Sequence, residues 1–353
     1  MTLGIVDVGT NSIHLLIGIL GLNGKFHVIL KERDLTRLGE GGLSSGRLTT
    51  KAMGRARSVL QRYMAILKRC EVDHVEAVAT SAVREATNGK AFVRLVRSKL
   101  GLPLRIVSGR EEARLIYLGV LQTVRFRHTH VMITIGGGSA QVMVGNGTRL
   151  AYATSRLLGG ARLAQRFIRH DPPSASEVDV LDRSIRRAWA PVVQAVRRHR
   201  WHGALGSSAT IYQLMMAAHL RTHRHPPHGK HRLSISQPAL RRLVTWLSTS
   251  TATERRQLDG LDPRREDLAL PTGIALLAWM EGCRIARLRY APGSIREGLV
   301  IDYLLRHHER IQRIDNPLEE LFSTNGTWDV SLVNSRLFRR RKLNTHGMAR
   351  GHR

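Results

Sequence analysis

The sequence predicts an α/β protein built from two related domains, and three observations support this fold class. The segment Leu3–Ile17 reads as strand, glycine turn and strand, because the polar run DVGTNS separates two apolar stretches. A related run, TIGGGS, recurs between apolar stretches at Val131–Val144. After each copy, strands are followed by helices, which is typical of α/β domains. We therefore predict a first domain at residues 1–125, a second at 126–310 and a basic tail at 311–353.

Periodicity gives the first domain three helices after its hairpin. Apolar residues at helical spacing predict an amphipathic helix over Thr50–Arg69, followed by a strand at 75–79. A second helix is predicted around 92–100 and a strand at 104–107. The third helix, Glu111–Leu121, has two carboxylates in its first turn, where the helix dipole favours negative charge.

The second domain has a more helical pattern than the first. Its stretch Arg221–Arg232 is basic, rich in histidine and contains prolines, so it is predicted to be an exposed loop. The predicted helices of this domain are Leu181–His199, Ala209–His219, Gln237–Ser248 and Pro271–Leu288.

Composition limits the class of protein. The chain has 353 residues, of which 42% are hydrophobic and 24% charged, as in soluble globular proteins. Its two cysteines, Cys70 and Cys283, lie far apart, which argues against a disulfide scaffold and a thiolate zinc site. The chain has no apolar run of roughly 18 residues and no signal-peptide pattern at its start. We therefore expect a cytoplasmic protein that does not span a membrane.

The formal net charge of +29 is the strongest compositional anomaly. Such an excess attracts polyanions, including nucleic acid and inorganic polyphosphate. Basic residues are spread along the whole chain, however, so a general basic bias explains the charge equally well. The segment 336–353 is rich in arginine and has no acidic residue, which predicts disorder. Nucleic-acid binding by this tail stays an alternative, although the 5% of aromatic residues show no interleaving suited to base stacking.

The two glycine turns are the candidate phosphate-binding elements. Glycine-rich turns can direct several backbone N–H groups toward one anion. A single such turn is often only a hairpin former, but two that face each other would bind a phosphorylated ligand between the domains. The predicted phosphate-binding residues are Gly9, Thr10, Asn11 and Ser12 in the first turn and Gly136, Gly137, Gly138 and Ser139 in the second.

Six segments, in order, resemble the exopolyphosphatase/guanosine pentaphosphate phosphohydrolase (Ppx/GppA) family. They read IVDVGTNSIHLLI, VATSAVREATN, SGREEARLIYLGV, ITIGGGSAQVMVG, LGSSATI and GSIREGLVIDYL. The resemblance implies the actin/sugar-kinase/heat-shock-ATPase fold, in which duplicated mixed-sheet domains enclose a phosphate site. It also implies a Mg²⁺-dependent hydrolase that releases terminal orthophosphate from inorganic polyphosphate or guanosine pentaphosphate, and a homodimer.

The resemblance assigns roles to individual residues. Glu112 aligns with the family's catalytic glutamate, which activates the attacking water, whereas Glu111 fits a helix-dipole role. Asp7 would hold Mg²⁺, or alternatively stabilise its own turn. Arg84 matches a phosphate-contacting arginine. A third anion-binding turn is implied at Gly206, Ser207 and Ser208.

Further family positions are interpreted as mainly structural residues, with a place in the lining of the cleft as the alternative. Arg265 and Asp267 belong to this group, as does the segment Arg296–Gly298. His228–Gly229 resembles a family His-Gly pair, but the neighbouring histidines have no spacing suited to metal ligands.

The second turn departs from the family pattern D-x-G-G-G-S-x-E. Thr134 and Gln141 replace its two carboxylates with a hydroxyl and an amide. Both can accept hydrogen bonds from metal-bound water, but neither adds negative charge, so we expect weakened Mg²⁺ dependence. The alternative function is a catalytically weakened relative that binds polyphosphate or an alarmone. An ATPase or sugar kinase of the same fold is disfavoured by the GSIREG and EEAR segments.

Overall fold

The computed structural model describes residues 1–21, 25–124, 128–147, 149–311 and 327–329. Two six-stranded mixed sheets dominate it, one in each domain. The strands of the first sheet are β1 (Thr2–Val8), β2 (Ile13–Leu20), β3 (Lys25–Asp34), β4 (His74–Ala79), β5 (Leu104–Ile106) and β12 (Thr327–Asp329). Those of the second are β6 (His130–Ile135), β7 (Ala140–Gly145), β8 (Leu150–Arg156), β9 (Gly203–Ser207), β10 (Ser234–Ser236) and β11 (Arg287–Tyr290).

Helices surround the two sheets. The first domain contributes α1 (Thr50–Arg69), α2 (Ser81–Glu85), α3 (Gly89–Leu100) and α4 (Gly109–Leu121). The later helices are α5 (Gly160–Phe167), α6 (Ala175–Arg197), α7 (Ala209–Leu220), α8 (Gln237–Thr249), α9 (Ala252–Arg256), α10 (Glu266–Gly282) and α11 (Ile295–Ile311).

Five strands have the same arrangement in both sheets. Their order is β3-β2-β1-β4-β5 in the first sheet and β8-β7-β6-β9-β11 in the second. In each case the first three strands are antiparallel and the last two are parallel to the central one. This duplication confirms the predicted fold class of two related mixed-sheet domains.

Local sequence explains most element boundaries. Thr49 begins α1 by accepting a hydrogen bond from the backbone of Ala52, and Gly101 ends α3 in a left-handed conformation. The predicted helix over Pro271–Leu288 is wrong at both ends. Helix α10 ends at Gly282, and Arg284, with φ of 57°, redirects the chain into β11.

The last long helix returns to the first domain. Helix α11 packs on α4 and on β1, so both helices lie in an apolar core between the two sheets. A Cβ on Gly298 would lie 1.8 Å from the carbonyl oxygen of Leu115, so only glycine permits this close approach. An ion pair of 2.6 Å between Arg114 and Asp302 reinforces the contact.

Two predictions about surface segments have different outcomes. Residues 221–230 are mostly exposed, as predicted for the histidine-rich loop. The predicted basic tail, with its alternative role in nucleic-acid binding, lies outside the described residues apart from 311 and 327–329. Among the residues that are described, no helix combines the length and the apolar character needed to cross a bilayer.

Candidate functional site

The two glycine turns meet in the cleft between the domains. A Cβ placed on Gly137 would lie 3.2 Å from the Cβ atoms of both Thr10 and Asn11. One placed on Gly138 would lie 2.4 Å from the Thr10 hydroxyl oxygen. The two turns therefore touch directly. They can approach this closely because Gly137 and Gly138 have no side chain.

A cavity of about 360 Å³ opens beside this contact. Its wall includes both turns from Gly9 to Ser12 and from Gly136 to Ser139, together with Ser207 and Ser208 of the third. The charged and titratable residues that line it are Asp7, His14, Lys31, Glu32, Arg33, Glu112, Arg265 and Arg296.

Asp7 ends the first strand at the edge of this cavity. Its Oδ1 atom is buried and has no hydrogen-bond partner among the described residues. Burial raises the pKa of the Asp7 carboxyl to about 7, although the guanidinium of Arg296 opposes this and Glu112 adds to it. The carboxylate is thus poorly compensated and suited to hold a cation or a proton.

Asp7 belongs to a charged row that crosses three strands. His14 on β2 is its direct partner, and Arg33 on β3 is the partner of His14. Burial and the nearby Arg296 lower the pKa of His14 well below its usual value, so the imidazole is neutral. Its Nδ1 atom lies 3.3 Å from Nη1 of Arg296. Neither His14 nor Arg33 was predicted from the sequence, although the register of the β1–β2 hairpin could have placed His14 beside Asp7.

Glu112 approaches the same cavity from the first turn of α4. Ser108 caps the start of this helix, because its side chain accepts a hydrogen bond from the backbone of Glu111. Glu112 is only 8% exposed, and burial raises its pKa although the guanidinium of Arg84 opposes the change. A distance of 2.8 Å separates its Oε2 from Nη1 of Arg84.

Two predicted residues lie behind the cavity rather than on its wall. Arg84 contacts Glu112 and also pairs with Glu85 at 2.8 Å, so the structure gives it carboxylate partners. Gly206 packs against apolar side chains, since a Cβ there would lie 2.8 Å from Leu288.

The second sheet carries an equivalent row without charge. Thr134 on β6 faces Gln141 on β7, which in turn faces Ser155 on β8. The Gln141 amide donates to the hydroxyl oxygens of Ser139 at 2.8 Å and Ser155 at 3.2 Å. Thr134 and Gln141 are both buried, so the replaced carboxylate positions form a neutral polar wall.

Arg265, which directly precedes α10, lines the cleft together with Ser207 and Ser208 of the third turn. Ser208 caps α7 with φ of 113°, and its neighbour Ser207 donates to the carbonyl of Gly293 at 2.6 Å. Arg265 lines the cavity and bonds Thr210 at 3.2 Å, while its Nε is buried with no partner among the described residues. Burial lowers the pKa of Arg265 to about 10, which leaves it charged at neutral pH. Of the two sequence interpretations of Arg265, its place on the cavity wall agrees with the one in which it lines the cleft.

The residues of the cleft fit a magnesium ion held from one side. Mg²⁺ is commonly bound by one or two carboxylates, waters and substrate phosphates. The unpartnered oxygen of Asp7 suits this role, whereas Thr134 and Gln141 offer only neutral oxygens. Within the described ranges, no cluster of three or more His, Cys, Asp or Glu residues could enclose a metal by itself.

Duplicated mixed sheets whose glycine turns touch across a cleft define the class as a two-domain α/β protein. Residues 21–307 match the model of the Ppx/GppA phosphatase family. Because the match covers most of the sequence, the chain belongs to this family.

Individual relatives agree with this assignment. The chain is 26% identical over 336 residues to a guanosine-5'-triphosphate,3'-diphosphate pyrophosphatase of Photobacterium profundum. The match covers 94% of the chain but spans only 65% of that relative's length. A crystal structure of an exopolyphosphatase from Cytophaga hutchinsonii has a TM-score of 0.78 and 27% identity, covering 86% of this chain and 97% of that one. The Aquifex aeolicus family member has a TM-score of 0.72 at 24% identity, covering 87% and 98%, and supports the fold.

Proposed function

We propose that this chain is a phosphoanhydride hydrolase that releases terminal orthophosphate from inorganic polyphosphate or guanosine pentaphosphate. The observation that carries the proposal is the contact of the two glycine turns beside a cavity that also holds Glu112 and Asp7. The names of two relatives, an exopolyphosphatase and a pentaphosphate pyrophosphatase, support the same substrate class.

Glu112 is the proposed general base. A water oxygen attacks the terminal phosphorus, its proton passes to the Glu112 carboxylate, and the bond to the bridging oxygen breaks. The shortened substrate keeps the bridging oxygen, and the terminal phosphate is released as orthophosphate. Arg84 holds Glu112 in place and favours its ionised form, which a base requires.

Positive groups around the cavity would neutralise the phosphate oxygens. Arg33, Arg265 and Arg296 reach it from three different elements, and the glycine turns supply backbone donors. Asp7 is the proposed Mg²⁺ ligand, and a bound ion would neutralise charge that develops on the transferring group. Phosphoryl transfer depends mainly on such positioning and charge stabilisation.

Polyphosphate is the substrate we favour over pentaphosphate. Its repeating phosphates suit a cleft with several cationic side chains and a chain whose net charge is +29. The cytoplasmic location and the homodimer stay predictions.

The decisive experiment measures orthophosphate release from both substrates by purified wild-type protein and Glu112→Gln. Loss of a positioned base should slow release by roughly 10²–10⁴-fold. Glu111→Gln is the matched control, because Glu111 lies in the same helical turn but pairs with Arg105 at 2.6 Å. Equal release by wild type and Glu112→Gln would refute the proposal.

A second candidate function is favoured by the neutral row of Thr134, Gln141 and Ser155. A cleft with fewer carboxylates could bind polyphosphate or an alarmone as a regulatory protein with little turnover. Calorimetry would then detect binding of the substrate while orthophosphate release by wild type stays at the level of Glu112→Gln.

A further inference from the structure

The carbonyl groups of the three glycines in the second turn are all bonded by one short segment at the start of α5. The backbone N–H of Gly160 donates to the carbonyl of Gly136 at 2.9 Å. The N–H of Arg162 donates to Gly137 at 3.0 Å, and its side-chain Nε donates to Gly138 at 2.9 Å. Three successive carbonyls thus point toward α5.

This fixes the direction of the turn's N–H groups. In a trans peptide, the carbonyl and the following N–H point in opposite directions. The N–H groups of Gly137, Gly138 and Ser139 therefore point away from α5, and these residues line the cavity. The donors proposed to bind phosphate owe their orientation to bonds on the opposite side of the chain.

Arg162 also contacts the first domain. Its Nη1 donates to the carbonyl of Leu43 at 3.0 Å, and Gln165 on the same helix donates to Gly39 at 3.3 Å. The neighbouring Ala161 packs on the apolar core of the first domain. Helix α5 thus contacts the loop at residues 37–43 through hydrogen bonds and the core of the first domain through Ala161.

That loop orients the first glycine turn in the same way. The N–H of Gly39 donates to the carbonyl of Thr10, and that of Arg37 donates to Asn11, both at 2.9 Å. By the same peptide geometry, the N–H groups of Asn11 and Ser12 point away from the loop. Each turn is therefore held from behind, and Arg162 joins the two supports.

We propose that Arg162 is a positioning residue that orients the second turn and couples it to the support of the first. Among the described residues, Arg162 is the one side chain with hydrogen bonds both to the second turn, at Gly138, and to the loop behind the first turn, at Leu43. A planar guanidinium can make both bonds at once, whereas a lysine ammonium on a flexible stem cannot reproduce this fork. Only the kinetic test below rests on the proposed hydrolase function.

The first test measures backbone hydrogen exchange by mass spectrometry in wild type, Arg162→Ala and Arg162→Lys. We expect faster exchange in peptides covering both turns and residues 37–43 for Arg162→Ala. Arg162→Lys, which keeps the charge and most of the packing, should accelerate exchange at the second turn. Arg166→Ala is the control, because Arg166 is exposed on the same helix and lies over Phe167. Changes confined to α5, or equal changes in the control, would overturn the proposal.

The second test measures orthophosphate release from polyphosphate. Misplaced donors should lower kcat/KM by about 100-fold in Arg162→Ala, with partial recovery when guanidinium is added at non-denaturing concentration. The positioning role of Arg162 would also be overturned if Arg162→Ala had the kcat/KM of wild type while Glu112→Gln was inactive. If wild type releases no more orthophosphate than Glu112→Gln, the hydrolase assignment fails, and the exchange experiment still decides the role of Arg162.

Discussion

The two glycine turns have the same backbone and different chemistry. Each closes with one hydrogen bond, from Gly9 to Ser12 at 3.0 Å and from Gly136 to Ser139 at 2.9 Å. Yet the row beside the first turn contains Asp7, and the row beside the second is neutral throughout. The comparison shows that glycines and backbone bonds preserve a duplicated geometry while the side chains at the strand ends diverge.

The difference also divides the electrostatic roles between the domains. The first row and α4 contribute Asp7 and Glu112, two buried carboxylates of the cleft whose pKa values are both raised. The second turn contributes dipoles and hydroxyls. Charge compensation for a bound phosphate therefore comes from the arginines and from any cation held on the first side.

The largest effect is expected when the row of Asp7, His14 and Arg33 loses its carboxylate. Asp7→Asn should lower activity by at least the roughly 10–100-fold typical of lost outer-shell metal partners. The same change should stabilise the fold at pH 8. Folded Asp7 has a pKa of about 7 against 3.8 ordinarily, so its stability cost grows as pH rises through that interval.

Thermal unfolding of wild type and Asp7→Asn across pH checks this. The variant should have the higher midpoint at pH 8, with the gain shrinking toward zero well below the unfolded-state pKa of 3.8, where Asp7 is protonated in both states. On the order of a few kcal/mol is at stake, since each pKa unit corresponds to about 1.4 kcal/mol. If the variant were less stable than wild type at pH 8, the negative charge of Asp7 would be stabilised by its surroundings, and the prediction would be wrong.

A smaller effect is expected when the second row is charged to match the family pattern. The double variant Thr134→Asp, Gln141→Glu should bind Mg²⁺ about 10–100-fold more tightly than wild type, measured by calorimetry. Added carboxylates supply the oxygen ligands that this ion prefers. The neutral pair Thr134→Val, Gln141→Met should show no gain. If both pairs bind the ion like wild type, these positions do not set metal affinity.

The smallest effect is expected within the neutral row. Ser155→Ala removes one acceptor of the Gln141 amide, which should cost about 0.5–1.5 kcal/mol in the free energy of unfolding. Gln141 keeps its bond to Ser139, so activity should change only a few-fold. Urea titration measures the first quantity. A loss of activity like that of Asp7→Asn would mean that the two rows are equivalent.

Local patterns carried much of the fold and part of the site. Both hairpins, the amphipathic α1 and the placement of Glu112 in a first helical turn follow from apolar periodicity and capping residues. The glycine turns could be recognised because their composition is local. The end of α10 could not, because nothing in the sequence around Arg284 shows its left-handed backbone.

Other features depend on contacts between distant segments. The position of Arg265 in the cleft requires α10 and the first sheet to lie together, and the contacts of Arg162 require a loop more than a hundred residues earlier. Periodicity gives no information about such pairs. His14 is an intermediate case, since strand register would have revealed it.

The return of α11 onto α4 has a consequence for how the chain is made. A ribosome completes the helix that carries Glu112 long before it synthesises Arg296 and the surface on which that helix rests. A nascent polypeptide that stops early therefore exposes an unpaired apolar flank and lacks one wall of the crevice. The crevice is therefore complete only after the segment that carries Arg296 has been made.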